Sequence, residues 1–195
     1  MTAKSLLQND FEEHARVTAQ TRAAVESEFE RLVEACASSV LSGGKLLFFG
    51  NGGSASDAQH LSTELVVRYV TDRAAIAALA LTTDTSALTA GANDLGFERV
   101  FARQIEALGR PGDIAIGLST SGRSPNVLRG LEAARAQGLT AVAMVGANRE
   151  QVAPLADIIL SVPARASNRI QEMHILIGHA LCGALERRLG LVEDR

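Results

Sequence analysis

The feature that most constrains the fold is an alternation of short apolar runs with longer stretches of helical pattern. Apolar runs of strand length occupy five places along the chain: 45–49, 76–81, 114–118, 140–145 and 158–162. Stretches with apolar residues at helical spacing lie between them, at about 55–70, 97–108, 125–137 and, more briefly, 150–155. Such alternation indicates parallel strands joined by crossover helices that cover both faces of a sheet. The sequence therefore predicts an α/β fold with a five-stranded parallel sheet flanked by helices.

Both ends of the chain have a helical pattern. Residues 6–41 contain no Gly or Pro and repeat apolar residues at helical spacing until Ser42-Gly43-Gly44. The same spacing recurs over 168–189. We expect one domain over 1–195, with an N-terminal helical segment (1–42) followed by the α/β core and a last helix (43–195). Apolar residues on all sides of both terminal helices favour burial against another subunit.

Composition excludes several classes of protein. Of the 195 residues, 47% are apolar, which is typical of a folded globular chain. The net charge of −3 and the dispersed Lys and Arg argue against a nucleic-acid or charged-membrane partner. No apolar run approaches the roughly 18 residues of a membrane span, and the N-terminus lacks a signal peptide's apolar region. Cys36 and Cys182 lie in apolar surroundings and are assigned to packing in a reducing compartment. We expect a cytoplasmic protein.

A glycine-rich segment follows the first strand and opens a helix: Gly50-Asn51-Gly52-Gly53-Ser54-Ala55. Ligands of open α/β sheets bind at the carboxyl ends of the strands, where glycines let backbone N–H groups approach an anion or a polyol. The spacing also fits the dinucleotide-binding pattern, although the acidic residue expected after the second strand is displaced to Asp84. A turn that only serves the chain's geometry is the remaining alternative.

A second loop concentrates hydroxyl groups. Ser119, Thr120, Ser121 and Ser124 lie within six residues, and Pro125 follows at the expected first position of a helix. Hydroxyl donors and a helix N-terminus together suit a phosphomonoester. A helix cap alone needs one hydroxyl and not four. The loop therefore favours phosphate binding.

Two helical stretches carry candidate metal ligands. His60 and Glu64 are four residues apart, so that both side chains lie on one helix face, either as a metal or substrate site or as an exposed pair. On the last helix, His174 is assigned to the core. His179 also lies in an apolar stretch, where a histidine is often a core residue, so a core position is the alternative to a ligand role for it. Gln171 and His179 lie about 12 Å apart along that helix, which two side chains could only just bridge through a metal. We therefore expect a site that draws on more than one protomer.

Motifs of high specificity run through nearly the whole chain: Gly50-Asn-Gly-Gly-Ser-Ala-Ser-Asp-Ala-Gln-His60, Leu81-Thr-Thr-Asp-Thr-Ser86, Asn93-Asp-Leu-Gly-Phe97, Ser119-Thr-Ser-Gly-Arg-Ser-Pro-Asn126, and Arg169-Ile-Gln-Glu-Met-His174 with His179. In these motifs the chain resembles the phosphoheptose isomerase family of the sugar isomerase (SIS) domain superfamily. The resemblance implies a three-layer, flavodoxin-like fold and a homotetramer with active sites between subunits. It also implies a sugar-phosphate substrate: the family interconverts sedoheptulose 7-phosphate and an aldose heptose 7-phosphate through an enediol(ate), at the start of heptose supply for lipopolysaccharide.

The resemblance further implies roles for individual residues. One Zn²⁺ per subunit is expected on His60, Glu64, Gln171 and His179. Glu64 is the candidate base and His179 its acid–base partner. Substrate binding is expected at Asn51, Gly52, Gly53, Ser54, Arg68, Asn93, Asp94, Ser119, Thr120, Ser121, Ser124 and Gln171.

Two departures and three alternatives accompany this prediction. Arg123 stands where the family usually has Asn, and Asn168 where relatives often carry Asp or a small residue. The main alternative is a non-catalytic SIS-domain protein that binds a phosphosugar or associates with a replication initiator, but the presence of both Glu64 and His179 favours an enzyme. A SIS isomerase for another phosphosugar would share the serine loop without needing the metal-ligand set. A dinucleotide-dependent oxidoreductase is disfavoured, because this sequence lacks an acidic residue at the position that would contact the ribose.

Overall fold

The structure is a computed structural model that describes residues 2–192. Its strands are β1 (Leu46–Gly50), β2 (Ala78–Ala80), β3 (Ile114–Ser119), β4 (Thr140–Val145) and β5 (Ile158–Ser161). Its α-helices are α1 (Ala3–Leu41), α2 (Gly53–Val66), α3 (Thr85–Leu95), α4 (Val100–Leu108), α5 (Pro125–Ala136) and α6 (Ser167–Arg188), with a 3₁₀ turn over Phe97–Arg99.

All five strands form one parallel sheet in the order β2-β1-β3-β4-β5. This confirms the predicted five-stranded parallel sheet. The last pair of the β1–β3 ladder joins Gly50 to Leu118. Because parallel neighbours end at the same edge, the loop after β1 and the loop after β3 start side by side. The two polar loops predicted from the sequence are therefore neighbours.

The two sheet faces have different coverings. Phe48 belongs to the larger core, which α1, α2 and α6 cover, whereas Phe49 points to the other face and packs with α4 and α5. This alternation is the period of a strand buried on both faces. The helices on both faces confirm the predicted three-layer arrangement. It also places α2 and α6, the helices with the candidate metal ligands, on one face.

The N-terminal segment is one continuous helix. A stripe of α1 is buried against α6 and β5, including Val17, Leu32 and Cys36. The first turns instead leave Leu6 and Phe11 exposed. Within residues 2–192, no helix combines the length and the apolar character that a membrane crossing requires.

Two elements near the sheet edges differ from the sequence prediction. The second strand is short and lies at an edge, where Leu79 is 38% exposed instead of buried. The segment 150–155 forms turns and no helix. Its pattern is too short to form a helix by itself, and Pro154 disfavours the helical conformation in the residue before it.

The segment after β2 contains a helix that the sequence analysis missed. The side chain of Asp84 caps α3 by accepting a hydrogen bond from Ala87 N at 2.9 Å. Asn93 and Asp94 lie inside the last turn of this helix and not in a loop. The helix ends at Gly96, whose φ of +89° favours glycine.

Candidate functional site

The loop between β3 and α5 brings three serine hydroxyls together. Ser119 Oγ lies 3.1 Å from Ser124 Oγ and 3.5 Å from Ser121 Oγ. Ser121 Oγ also accepts a hydrogen bond from Arg123 N at 3.1 Å. We call Ser119, Ser121 and Ser124 the serine ring.

The serine ring lies at the N-terminus of α5, where Pro125 occupies the first turn as predicted. Ser124 is the residue before the helix, but its side chain makes no capping hydrogen bond. The alternative in which these hydroxyls serve as helix caps therefore has no support. Their O–H groups can rotate toward a ligand, and the helix dipole favours an anion here.

The loop after β1 is tied to the serine loop by a pair of amides. Asn51 Nδ2 donates to Asn126 Oδ1 at 2.8 Å, and Asn126 Nδ2 donates to Asn51 Oδ1 at 2.8 Å. Asn126 is buried, whereas Asn51 is partly exposed. Gly52 then takes a φ of +57°, which favours glycine, and α2 begins at Gly53. This pair fixes the spacing of the two loops, and Asn51 retains hydrogen-bonding capacity for a ligand.

Three predicted metal ligands converge between α2 and α6. His60 Nε2 lies 2.9 Å from His179 Nε2 and 3.4 Å from Glu64 Oε1. All three residues offer ligand atoms within 4.8 Å of one another. We call His60, Glu64 and His179 the His-Glu cluster. The helical spacing predicted that His60 and Glu64 share a face, and the fold adds His179 from the last helix.

The chemistry of the cluster fits a zinc ion. Two imidazole nitrogens and a carboxylate form a donor set that zinc prefers. Glu64 Oε2 is buried and has no hydrogen-bond partner among the residues described. A buried carboxylate oxygen without a partner is costly, and a bound cation would relieve that cost.

An aromatic ring packs against the cluster, and a buried ion pair lies in the same part of the fold. The ring of Tyr69 stacks on that of His179, with centroids 5.6 Å apart and 27° between the planes. Burial, together with nearby acidic groups, raises the pKa of Tyr69. Behind the ring, Arg73 pairs with Glu186 at 2.9 Å, and both side chains are buried. The sequence analysis missed all three residues, because none belongs to a local pattern.

Gln171 lies near the loop after β1. A Cβ atom added to Gly53 would lie 2.6 Å from Gln171 Nε2, so a larger residue at position 53 would displace this amide. Within one chain, the Gln171 side chain thus covers the start of α2. Its role as a ligand of the metal stays a prediction.

Three other predicted substrate-binding residues make their hydrogen bonds outside these clusters. Among the hydrogen bonds of residues 2–192, Arg68 contacts Asp72 at 3.4 Å, and Asn93 donates to Asp94 at 2.6 Å. Arg68, Asn93 and Asp94 are all exposed. Ser54 is buried at the start of α2, and Thr120 lies 3.4 Å from the hydroxyl of Ser167. Their roles stay predictions.

The two departures from the family pattern occupy different cavities. Arg123 is exposed and lines a cavity of about 520 Å³ with Thr120, Ser121 and Arg165 beside the serine ring. Asn168 lines a smaller cavity of about 310 Å³ at the junction of α1 and α6.

Comparisons with known proteins define the class of this chain. Residues 11–146 match the sequence model described as "SIS domain", which is well over half of the chain. The chain therefore belongs to the SIS domain family.

Relatives of known name narrow the class. A phosphoheptose isomerase of Paramagnetospirillum magneticum is 59% identical over 186 residues, which cover 95% of this chain and 97% of the relative. The solved phosphoheptose isomerase of Francisella tularensis is 33% identical with a TM-score of 0.92, covering 96% of this chain and 100% of that one. The solved phosphoheptose isomerase of Neisseria gonorrhoeae is 38% identical with a TM-score of 0.89, covering 95% of this chain and 100% of that one. Within the SIS domain family, this chain belongs with the phosphoheptose isomerases.

Proposed function

We propose that this protein converts sedoheptulose 7-phosphate to D-glycero-D-manno-heptose 7-phosphate through an enediol(ate). The observation that carries the proposal is the convergence of His60, Glu64 and His179. Only the first two are near in sequence, and the fold places the third beside them. The similarity to phosphoheptose isomerases at up to 59% identity supports the same activity.

The serine ring is the proposed binding site of the phosphate. Three hydroxyls lie within 3.5 Å of a neighbour in the ring and can turn their O–H groups toward phosphate oxygens. The N-terminus of the 12-residue helix α5 adds a favourable dipole. The amide pair of Asn51 and Asn126 then orients the adjacent loop toward the sugar hydroxyls.

The His-Glu cluster is the proposed zinc site, with Gln171 as a further ligand and one ion per subunit. Bound Zn²⁺ would polarise the substrate carbonyl and stabilise negative charge on its oxygen. The carboxylate of Glu64 fits this set because Oε2 is buried without a partner in the described part of the chain.

Proton transfer is assigned to two side chains. A carboxylate oxygen of Glu64 takes the proton from the carbon next to the carbonyl, and the ring nitrogen of His179 that does not bind the metal exchanges a proton with the neighbouring oxygen. Since a carboxylate has two oxygens, ligation and proton transfer at Glu64 can use different atoms. The stacked Tyr69 ring restricts the orientation of the His179 imidazole.

A homotetramer with sites between subunits is the proposed assembly. Leu6, Leu7 and Phe11 are each more than half exposed on the first turns of α1. A cavity of about 510 Å³ between α1 and α6 is lined largely by apolar atoms, including those of Phe29 and Leu176. Burial of such surfaces by another copy would be favourable.

A cytoplasmic location and a role in heptose supply for lipopolysaccharide complete the proposal. The resemblance to phosphoheptose isomerases supports the role in heptose supply. The buried, unpaired Cys36 and Cys182 agree with a reducing compartment.

The alternative is a non-catalytic SIS-domain protein that binds a phosphosugar or a protein. Such a protein would use the serine ring without needing a His-Glu cluster. The convergence of all three cluster residues favours the enzyme.

The experiment that tests the proposal is a coupled assay of the purified protein with sedoheptulose 7-phosphate. Turnover is measured as isolated, after chelation, and after Zn²⁺ is restored, with Mg²⁺ as the control ion. We expect chelation to abolish turnover and Zn²⁺, but not Mg²⁺, to restore it. A folded protein that binds the sugar phosphate without turnover would contradict the isomerase and favour the alternative.

A further inference from the structure

A buried arginine holds the end of the helix that carries Glu64. Arg73 lies in the segment after α2, and its side chain is 1% exposed. Its Nη2 donates to the backbone carbonyl of Glu64 at 2.6 Å, and its Nη1 donates to that of Leu65 at 2.8 Å. The last carbonyls of a helix have no partners within the helix. Arg73 supplies a donor for the carbonyl of Glu64, whereas the carbonyl of Leu65 also accepts a hydrogen bond from Ile76 N at 3.0 Å. The backbone position of Glu64 therefore depends on Arg73.

The same arginine is tied to the last helix by a carboxylate. Glu186, 4% exposed on α6, accepts a hydrogen bond from Arg73 Nε at 2.9 Å. It also accepts one from the backbone N–H of Tyr69 at 3.4 Å. Glu186 thus links the segment that follows α2 to α6.

These contacts reach both halves of the His-Glu cluster. Arg73 holds the residue that supplies the carboxylate of the cluster, and Glu186 holds the backbone of Tyr69, whose ring stacks on His179. His179 and Glu186 lie seven residues apart on α6, which puts them on nearly the same face of the helix. The Arg73–Glu186 ion pair is therefore linked to Glu64 on α2 and, through Tyr69, to His179 on α6.

We infer that Arg73 and Glu186 are positioning residues that set the geometry of the metal site from behind it. The inference rests on the proposed zinc site. The pair makes no contact with the ligand atoms, and it acts through the Glu64 backbone and the Tyr69 ring.

The choice of charged residues supports a positioning role. A buried ion pair is seldom more stabilising than well-packed apolar residues of similar volume. The planar fork of Arg can, however, reach two carbonyls and a carboxylate at once, and neither Lys nor an apolar residue can. The geometry that the pair imposes on α2 and α6 is its main contribution.

The test measures Zn²⁺ affinity by competition with a chromophoric chelator, together with thermal unfolding of the metal-free protein. Three proteins are compared: the wild type, Arg73→Met, and Arg73→Met combined with Glu186→Gln. The single variant leaves a buried carboxylate without its cation, which lowers the Tm. The double variant removes both charges, so its Tm should recover most of the way toward that of the wild type.

The expected result separates position from stability. Outer partners of metal ligands typically change metal affinity 10- to 100-fold, and we expect a loss of this size in both variants. The double variant should therefore regain Tm without regaining Zn²⁺ affinity. If the affinity recovers with the Tm, or never falls, the pair is only structural and the inference is overturned. The wild-type titration is evaluated first, because a wild type that binds no Zn²⁺ refutes the proposed metal site itself, and this inference with it.

Two further variants keep the test decisive. Arg73→Lys retains a charge beside Glu186 but cannot reach both carbonyls, and it should fold with Zn²⁺ affinity reduced about tenfold. It replaces the double variant if that protein does not fold. The matched control is Lys45→Met, which removes the cation from the buried Asp113 at the other end of β1. It should lower the Tm and leave Zn²⁺ affinity unchanged, whereas equal losses of affinity in Lys45→Met and Arg73→Met would overturn the inference.

Discussion

The serine ring and the His-Glu cluster are both parts of the proposed site but are built differently. The ring takes its three hydroxyls from one loop of six residues. The cluster joins His60 and Glu64 to a histidine 119 residues further along the chain. The geometry of the ring is set by local backbone conformation, and that of the cluster by how α2 packs on α6. Changes in helix packing should therefore affect the cluster first.

Glu64→Gln should give the largest effect and separate the two regions most clearly. It removes the proposed base and one metal ligand but keeps the shape of the side chain. Acid–base catalysis by a positioned group contributes about 10²- to 10⁴-fold, and we expect kcat to fall by at least this factor. The affinity for substrate, measured by calorimetric titration, should stay near that of the wild type because the phosphate site is unchanged.

The matched control is Glu132→Gln, which makes the same change on the exposed face of α5. It should leave kcat unchanged. Near wild-type turnover in Glu64→Gln would contradict the assignment of the base.

Ser119→Ala combined with Ser121→Ala should produce the opposite pattern. Hydrogen bonds to a charged group contribute about 1.5–3 kcal/mol each, so that KM should rise about 10-fold or more for each lost hydroxyl. Zn²⁺ affinity should not change. The control is Ser38→Ala on the exposed side of α1, and an unchanged KM in the double variant would refute the phosphate site.

Gly178→Ala tests whether the cluster depends on the contact between α2 and α6. Gly178 directly precedes His179 in the chain. A Cβ atom at position 178 would lie 2.4 Å from Leu61 Cδ2. Overpacking of this kind costs about 1–3 kcal/mol and should move α6 away from α2. We expect weaker Zn²⁺ binding and a nearly unchanged KM.

Gly91→Ala is the control for that change. Gly91 lies in α3, where an added Cβ would meet nothing closer than 3.8 Å, and alanine should be neutral or slightly stabilising. If Gly178→Ala instead raises KM and leaves Zn²⁺ binding intact, the proposed difference between the two regions is wrong.

The smallest effect concerns the pH dependence of stability. Burial lowers the pKa of His174 to about 4, although the backbone of Val145 partly opposes the shift. The unfolded chain, with a pKa of about 6.5, takes up the proton first as the pH falls. Stability from the neutral ring is complete above pH 6.5 and declines toward pH 4, by at most about 1.4 kcal/mol per pH unit.

Urea unfolding with a chelator present, at pH 7.5 and pH 5, measures this dependence. His174→Leu should lose less stability than the wild type between the two pH values. An equal loss would assign the acid sensitivity to other groups.

The sequence predicts the local parts of the site well because their signals are contiguous. Ser119, Ser121 and Ser124 can be identified as neighbours from their spacing, and His60 with Glu64 from helical periodicity. Arg73 and Glu186 are 113 residues apart, and Tyr69 follows a helix that ends earlier than its pattern predicts. Only tertiary packing brings these groups to the cluster, and hydrophobic periodicity carries no information about it.

The fold was predictable to a similar extent. All five strands and the two terminal helices follow from apolar runs with clear ends. Helix α3 was not predictable from apolar periodicity, because none of its residues is buried. The edge position of β2 depends on strand order, which the pattern along the chain does not specify.

The packing of α1 on α6 also bears on how the chain is made. A ribosome synthesises the 39-residue α1 before the strands of the sheet and its partner helix α6 after them. At about 5–20 residues per second, the apolar stripe of α1 waits on the order of 10 s for α6. The interval between the synthesis of His60 and that of His179 is nearly as long. The His-Glu cluster therefore cannot assemble before α6 has been synthesised, and the exposed stripe of α1 would be a natural binding site for chaperones until then.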